Sequence, residues 1–517
     1  MSEVKEESRK KKSLKNIAMA LFSNVVLTVI SFFTSRIIKD KLGMDVLGLN
    51  GVFANIIAIL SLSELGIGSA ITFALYKPLA ENDTESIKAL MGFFKKAYNI
   101  IALVVLILGL IILPFTTLIV KSNVFNSTFV YVSYAIFLIS SVASYLWVYK
   151  RTLIIADQKN YLVTGITLVM NTIVKVGQLL VVIFTANFFL YLLVNFFAII
   201  ITNLYISIVA DKMYPYLKDK YPPKLETETQ KMIISKTKAL FMHSIGTVIV
   251  FGTDNILISV FSGVADAGKY TSYLSIVNMI GMFITLIFDN LKDSVGNFMV
   301  SKNQEEKYDL FKKLFFLNQS TVYICAICLL VLLPSFMEIW LGADILLSKW
   351  VLYAMIASFI ISKGRTPIGT IKATAGLFEN DKYAPIIESF INLGVSILLG
   401  KYLGILGVIL GTIISSVCVP FVVQPFVVYK HVFSKNLVLY FLMQLRDVTI
   451  FGICLFTVDK ITHLIFNFEG INFFAFLLIA GCVFLFTVIL WLILNIFSKE
   501  EKFYFKLIKE KLHGRKN

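Results

Sequence analysis

NIAMALFSNVVLTVISFFTSRIIKDKLGMDVLGLNGVFANIIAILSLSELGIGSAITFALYKP, residues 16–78, decides how the rest of the chain is read. Two long apolar stretches flank a short polar corner that holds Gly43, Gly48 and Gly51. Each stretch is long enough to cross a bilayer as a helix, which takes about 20 residues for roughly 30 Å of hydrocarbon. Two ionisable residues, Arg36 and Glu64, sit inside the stretches. A charge at the bilayer centre costs about 2.5–3.5 kcal/mol on insertion scales, so each needs a reason.

The whole chain extends the pattern. Of 517 residues, 57% are hydrophobic and 15% charged, with a mean hydropathy of +0.81. That is too apolar for a soluble domain. The apolar runs are continuous rather than alternating, which excludes a β-barrel. The fold class is therefore an all-α polytopic membrane protein. Fourteen runs of spanning length follow a basic tail at 1–15; those at 383–400 and 441–461 carry Glu388 and Arg446. The first run is too long for a cleavable signal and is expected to stay as the first span. A net charge of +16 could suggest nucleic acid. However, most of the 48 Lys and Arg fall on the segments that face one side when both termini are placed inside. Positive-inside sorting explains this, and gives a multi-pass membrane chain with cytoplasmic termini and no nucleic-acid partner.

A second copy of the hairpin returns about 220 positions later. Leu42–Gly48 matches Ser262–Gly268, Leu113-Pro114 matches Leu333-Pro334, and Asn171 matches Asn392, all at nearly one offset. Six spans per half is an even number, so the halves enter the membrane in the same direction, an arrangement used by secondary transporters. The expected organisation is an N-lobe at 16–210, a Pro-containing cytoplasmic linker at 211–237 and a C-lobe at 238–429 around a central cavity. Two appended spans at 430–498 and a basic tail at 499–517 complete it.

The intramembrane polar residues are the candidate site. Lys175, deep in the fifth span, either snorkels outward or serves as a cavity cation for an anionic substrate. Arg36 either pairs with Asp40 or Asp45 at the corner or faces the cavity. The repeat sets Asp254-Asn255 opposite Ser35-Arg36, which gives the two lobes opposite charges at equivalent depth. Glu64, in the small-residue stretch SLSELGIGSA, is either a gate or ion-coupling carboxylate or a structural partner for a Lys such as Lys77. Asp289 has Lys292 nearly one turn on and suits a structural or a gating role. Asn24, Asn171 and Gln178 are either interhelical hydrogen-bonding groups or sugar contacts. Gly400, Gly404, Gly407 and Gly411 have the GxxxG spacing of close helix packing.

Catalysis finds little support. Cys325 and Cys328 form a CxxC that suits either metal chemistry or packing within a span, and no metal site is expected. No nucleophilic constellation, phosphate-cradling GxxxxGK[ST] or long outer loop stands out, so neither a catalytic residue nor a cofactor is assigned.

The hairpin, through LGMDVLGLNGVFANIIAILSLSELGIGSAITFALYKPLAENDTESIKALMGFFKKAY, resembles the opening of Wzx-type polysaccharide repeat-unit flippases. These belong to the multidrug/oligosaccharidyl-lipid/polysaccharide exporter superfamily. The resemblance is closest over residues 16–120 and rests on Arg36, Gly43, Gly48, Gly51, Glu64, Gly66, Gly68, Lys77 and Pro78. It implies a two-lobed transporter, not an enzyme. The implied activity moves an undecaprenyl-diphosphate-linked oligosaccharide to the outer leaflet for capsule or exopolysaccharide synthesis. H+ or Na+ coupling and contact with a polysaccharide polymerase or other assembly proteins go with that reading. Competing readings are an ion-coupled multidrug exporter of the same fold and, in another class, a membrane glycan polymerase or ligase.

Overall fold

The computed structural model describes residue 22 and residues 26–64, 66–219, 223–468 and 470–513. None of these residues lies in a strand. Contacts divide the chain into two compact units, residues 1–268 and 269–517.

The first unit opens with α1, residues 26–42. It continues through α2 (Met44–Leu60), α3 (Ile67–Glu81), α4 (Thr84–Ile112), α5 (Thr116–Ile119), α6 (Ser127–Tyr145) and α7 (Val148–Ala156). Next come α8 (Asn160–Thr185), α9 (Phe188–Met213), α10 (Thr227–Gly252) and α11 (Asp254–Ser262). α12 (Val264–Ser301) begins here and runs on into the second unit. That unit holds α13 (Gln304–Leu341), α14 (Lys349–Gly364), α15 (Thr366–Thr374), α16 (Ala384–Leu403), α17 (Ile405–Cys418) and α18 (Pro420–Val428). It ends with α19 (Val438–Ile465), α20 (Phe473–Asn495) and α21 (Lys499–His513).

Ten helical runs among the described residues are long and apolar enough to cross a membrane. The other four of the fourteen expected spans have physical explanations. The first begins among residues of which only residue 22 is described before residue 26. The second is split into α2, a 3-10 turn at Ser61–Glu64, and α3. The seventh is interrupted at Thr253, whose hydroxyl donates to Ile249 O at 2.9 Å, a back-bond that bends helices. The tenth, α14, has only 16 residues.

The repeat read from sequence is visible in local geometry. Gly43 and Gly263 start α2 and α12 with nearly the same backbone, φ 89 and ψ 167 against φ 100 and ψ 160. Only glycine adopts that region freely. Asp83 caps α4 by accepting from Ser86 N, and Asn303, its repeat mate, caps α13 by accepting from Glu306 N. The nine-residue α7 corresponds to the nine-residue α15, and the pair α8–α9 to α16–α17.

Packing within each unit depends on close approach, because lipid is as apolar as the helix surfaces it would replace. A Cβ at Gly48 would stand 1.8 Å from Val264 O, and one at Gly268 would stand 2.9 Å from Gly48 N. The starts of α2 and α12 therefore touch backbone to backbone. The GxxxG expectation takes the same form: a Cβ at Gly407 would stand 2.2 Å from Leu399 O, and one at Gly411 would stand 2.1 Å from Ser396 Oγ. Elsewhere aromatic rings fill the gaps. Phe53 meets Tyr134 and Phe137 edge-on at 5.4 and 5.5 Å, while Phe311, Phe315, Tyr429, Phe433 and Tyr440 form a buried cluster in the second unit.

Candidate functional site

The second span breaks where its sequence stops favouring helix. Ser61 ends α2 and turns its hydroxyl back onto Ile57 O at 2.8 Å. After the 3-10 turn, Gly66 adopts the left-handed region at φ 89 and α3 begins. Ser and Gly are weak helix formers, so SLSELGIG tolerates the break at little cost.

Glu64 stands at this break, partly exposed. The Tyr98 hydroxyl of α4 donates to its Oε1 at 2.7 Å. Tyr98 is 2% exposed, held edge-on by Phe94 at 4.6 Å, and lies 6.1 Å from the Tyr145 ring of α6. Tyr145 donates to Ser61 Oγ at 2.7 Å. A carboxylate, two tyrosines and a serine thus bind the break to α4 and α6. No described Lys, Arg or His forms an ion pair with Glu64. Lys77 instead faces Glu81 at 4.0 Å and is largely exposed. An ionised carboxylate only accepts hydrogen bonds, whereas a protonated one also donates, so a proton or small cation arriving here would rearrange the Tyr98 contact. Breaks of this kind are where secondary transporters place coupling groups.

The other expected site residues fall in several places. Arg36 pairs with Asp40 at 2.8 Å within α1, and Asp45 accepts from Ser122 at 3.0 Å. Asp254 and Asn255 are buried in the first turn of α11. Asn171, Lys175 and Gln178 share one face of α8 by their spacing. Gln178 is buried there and donates to Tyr191 O at 3.2 Å, which ties α8 to α9. Lys175 is partly exposed and forms no ion pair among the described residues. Asn24 lies outside the described residues. In the second unit, Asp289 is exposed on α12 and interacts electrostatically with Lys363. Glu388 accepts from Ser416 at 2.9 Å. Cys325 and Cys328 are free thiols in α13, and no group of three or more metal-binding side chains gathers among the described residues.

Reading by position missed a second cluster. At the α14–α15 break, Asn318 donates to Lys363 O at 3.0 Å and Arg365 Nε donates to Ile361 O at 3.2 Å. The Lys363 ammonium donates to Thr285 at 3.1 Å, and its stem passes Gly281 so closely that a Cβ there would stand 2.7 Å from Lys363 Cε. The available signal was the repeat itself, since Asn318 and Arg365 are the mates of Tyr98 and Tyr145.

No protein-family model matches the sequence, and no curated protein matches it. Solved structures do match, and the chain shares its fold with MOP-superfamily transporters. The lipid II flippase MurJ, in an inward closed conformation, matches with a TM-score of 0.63 and 15% identity over 95% of this chain and 100% of that one. An inward-facing multidrug resistance MATE-family transporter of the MOP superfamily matches with a TM-score of 0.59 and 13% identity over 76% of this chain and 92% of that one. A mutant of the Vibrio cholerae MATE transporter VcmN matches with a TM-score of 0.51 and 14% identity, over 83% of this chain and 99% of that one.

Proposed function

We propose that this chain is a flippase that moves an undecaprenyl-diphosphate-linked oligosaccharide from the inner to the outer leaflet of a bacterial cell membrane by alternating access. On this reading it serves capsule or exopolysaccharide synthesis and keeps both termini in the cytoplasm. The observation that carries it is Lys175, a cation at span depth with no ion pair among the described residues. Holding an ammonium there has a purpose if the cargo brings the counter-charge, and a diphosphate does. The likeness to a flippase over 95% of this chain agrees with the reading, as does the hairpin's resemblance to Wzx-type flippases.

A second reading, an ion-coupled multidrug exporter, draws on the acidic side of the same fold. Glu64 at a helix break, with Asp254 and Asp289, suits H+ or Na+ binding better than an anionic cargo. A deletion strain separates the two. Lipid-linked oligosaccharide accumulating on the inner leaflet supports the flippase, whereas unchanged glycan with altered drug sensitivity favours the exporter. Within the flippase reading, Lys175→Ala and Arg36→Ala each lower polymer export with membrane abundance unchanged. Wild-type export in both sinks the site assignment.

A further inference from the structure

A cavity of about 350 Å³ lies in the first unit, and none of its lining residues belongs to the broken span. Its walls come from the first turns of α4, the start of α7 and the 3-10 turn at Pro215–Lys218, and they carry four lysines, Lys88, Lys95, Lys150 and Lys218. Tyr149 and Tyr216 add hydroxyls, and Gly92 leaves one wall without a side chain.

The lysines are of two kinds. Lys150 is largely buried and bonded to Asp211 at 2.7 Å and Ser207 at 2.9 Å. Lys88 is similarly covered and meets Glu85 at 2.9 Å and Asp219 at 2.6 Å. Lys95 and Lys218 are exposed and form no ion pair among the described residues. Against four ammonium groups stand Asp219 in the wall and Asp211 and Glu85 behind it. The balance is positive, and the surplus falls on the two free lysines. Long flexible ammonium groups gathered around a concave space suit a multiply charged oxyanion that can meet several donors at once.

We infer that this cavity is a binding site for a phosphorylated anion, with Lys95 and Lys218 as its primary ligands and Asp219 as a competitor for Lys88. A phosphoryl oxygen on Lys88 takes the place now held by the Asp219 carboxylate. The volume, at the lower end of ordinary ligand sites, suits a phosphate, a diphosphate or a phospholipid headgroup. The inference concerns binding alone and stands apart from the transport reading.

The test is amine-reactive labelling of the full chain, read at each lysine by mass spectrometry. It is run in neutral detergent with inorganic pyrophosphate and in phosphatidylcholine nanodiscs with and without phosphatidylglycerol. Lys77, also exposed, is the control. Labelling of Lys95 and Lys218 is expected to fall about threefold or more while Lys77 is unchanged, with protection fading as salt rises. Protection by pyrophosphate in detergent assigns a soluble phosphoanion, and protection only in phosphatidylglycerol discs assigns a headgroup; both support the site. Calorimetry of whichever probe protects is then expected to show about tenfold weaker binding in the Lys95→Ala, Lys218→Ala double variant and tighter binding in Asp219→Asn. No selective protection by either probe overturns the inference, as does unchanged affinity in the double variant.

Discussion

The second span and its repeat mate begin alike and end differently. Both α2 and α12 start just after a positive-φ glycine, yet α2 stops at Leu60 while α12 runs unbroken to Ser301. At the same offset, SLSELGIG at 61–68 faces GMFITLIF at 281–288. Two serines and two glycines permit the break in one case, and apolar bulk with a single glycine sustains the helix in the other. The polar groups around these segments differ in sign as well. The first unit gathers Glu64, Tyr98 and Tyr145, whereas the second gathers Lys363, Asn318 and Arg365. The corners and caps match between the two halves, and the chemistry differs where the helices need not match.

The strongest way to break the comparison is at the shared corner. Gly48→Ala puts a methyl against Val264 O, where backbone cannot step aside, and is expected to cost about 1–3 kcal/mol or more by overpacking. Thermal unfolding in detergent reads this as a lowered midpoint; an unchanged midpoint would mean that the crossing opens easily. Next is Gly66→Leu, which installs the second half's residue at a position held at φ 89. The left-handed conformation costs a side chain about 1–2 kcal/mol, so the variant is expected to lose stability or export, and full retention of both argues that the break is dispensable. Tyr98→Phe removes the donor to Glu64 and is expected to cost about 1 kcal/mol, with any pH or Na+ dependence of export altered. Wild-type ion dependence would confine Glu64 to a structural role.

The smallest effect separates the two caps. Hydrogen bonds from Ser86 hold the Asp83 carboxyl below its ordinary pKa, while Asn303 does not titrate in this range. A lowered folded-state pKa adds stability above the ordinary value of 3.8, and that stability is lost as pH falls through the folded value. Acidification is therefore expected to lower the protection of the Ser86 amide against exchange, and Asp83→Asn, which installs the second half's cap, is expected to remove most of that pH dependence. The same loss of protection in wild type and variant would refute the difference.

Much of this architecture was legible in the sequence because helix length and hydropathy are local properties. The corner glycines, the GxxxG pairs and the repeat offset could all be read along one strand of text. The Glu64 site was only half legible. SLSELGIG marked a weak point, but Tyr98 and Tyr145 are brought to it by packing that no spacing rule encodes. Lys363 and Arg365 sit at the end of a run and look like ordinary inner-loop charges until the repeat sets them beside Tyr145. Arg36 illustrates the reverse: its neighbour at Asp40 is the local helical pairing that the sequence offered as one of its alternatives.

The contact between Gly48 and Gly268 carries a consequence for how such a chain can change over evolutionary time. In the repeat these two glycines are one position counted twice, and that position touches itself. A contact of residue i on residue i is what a self-associating surface makes with its own copy. Once both copies share a chain, either glycine is free to mutate on its own, yet each is held in place by the other's backbone. The two sites are thus bound to a common history, and drift in one half is checked by a residue in the other.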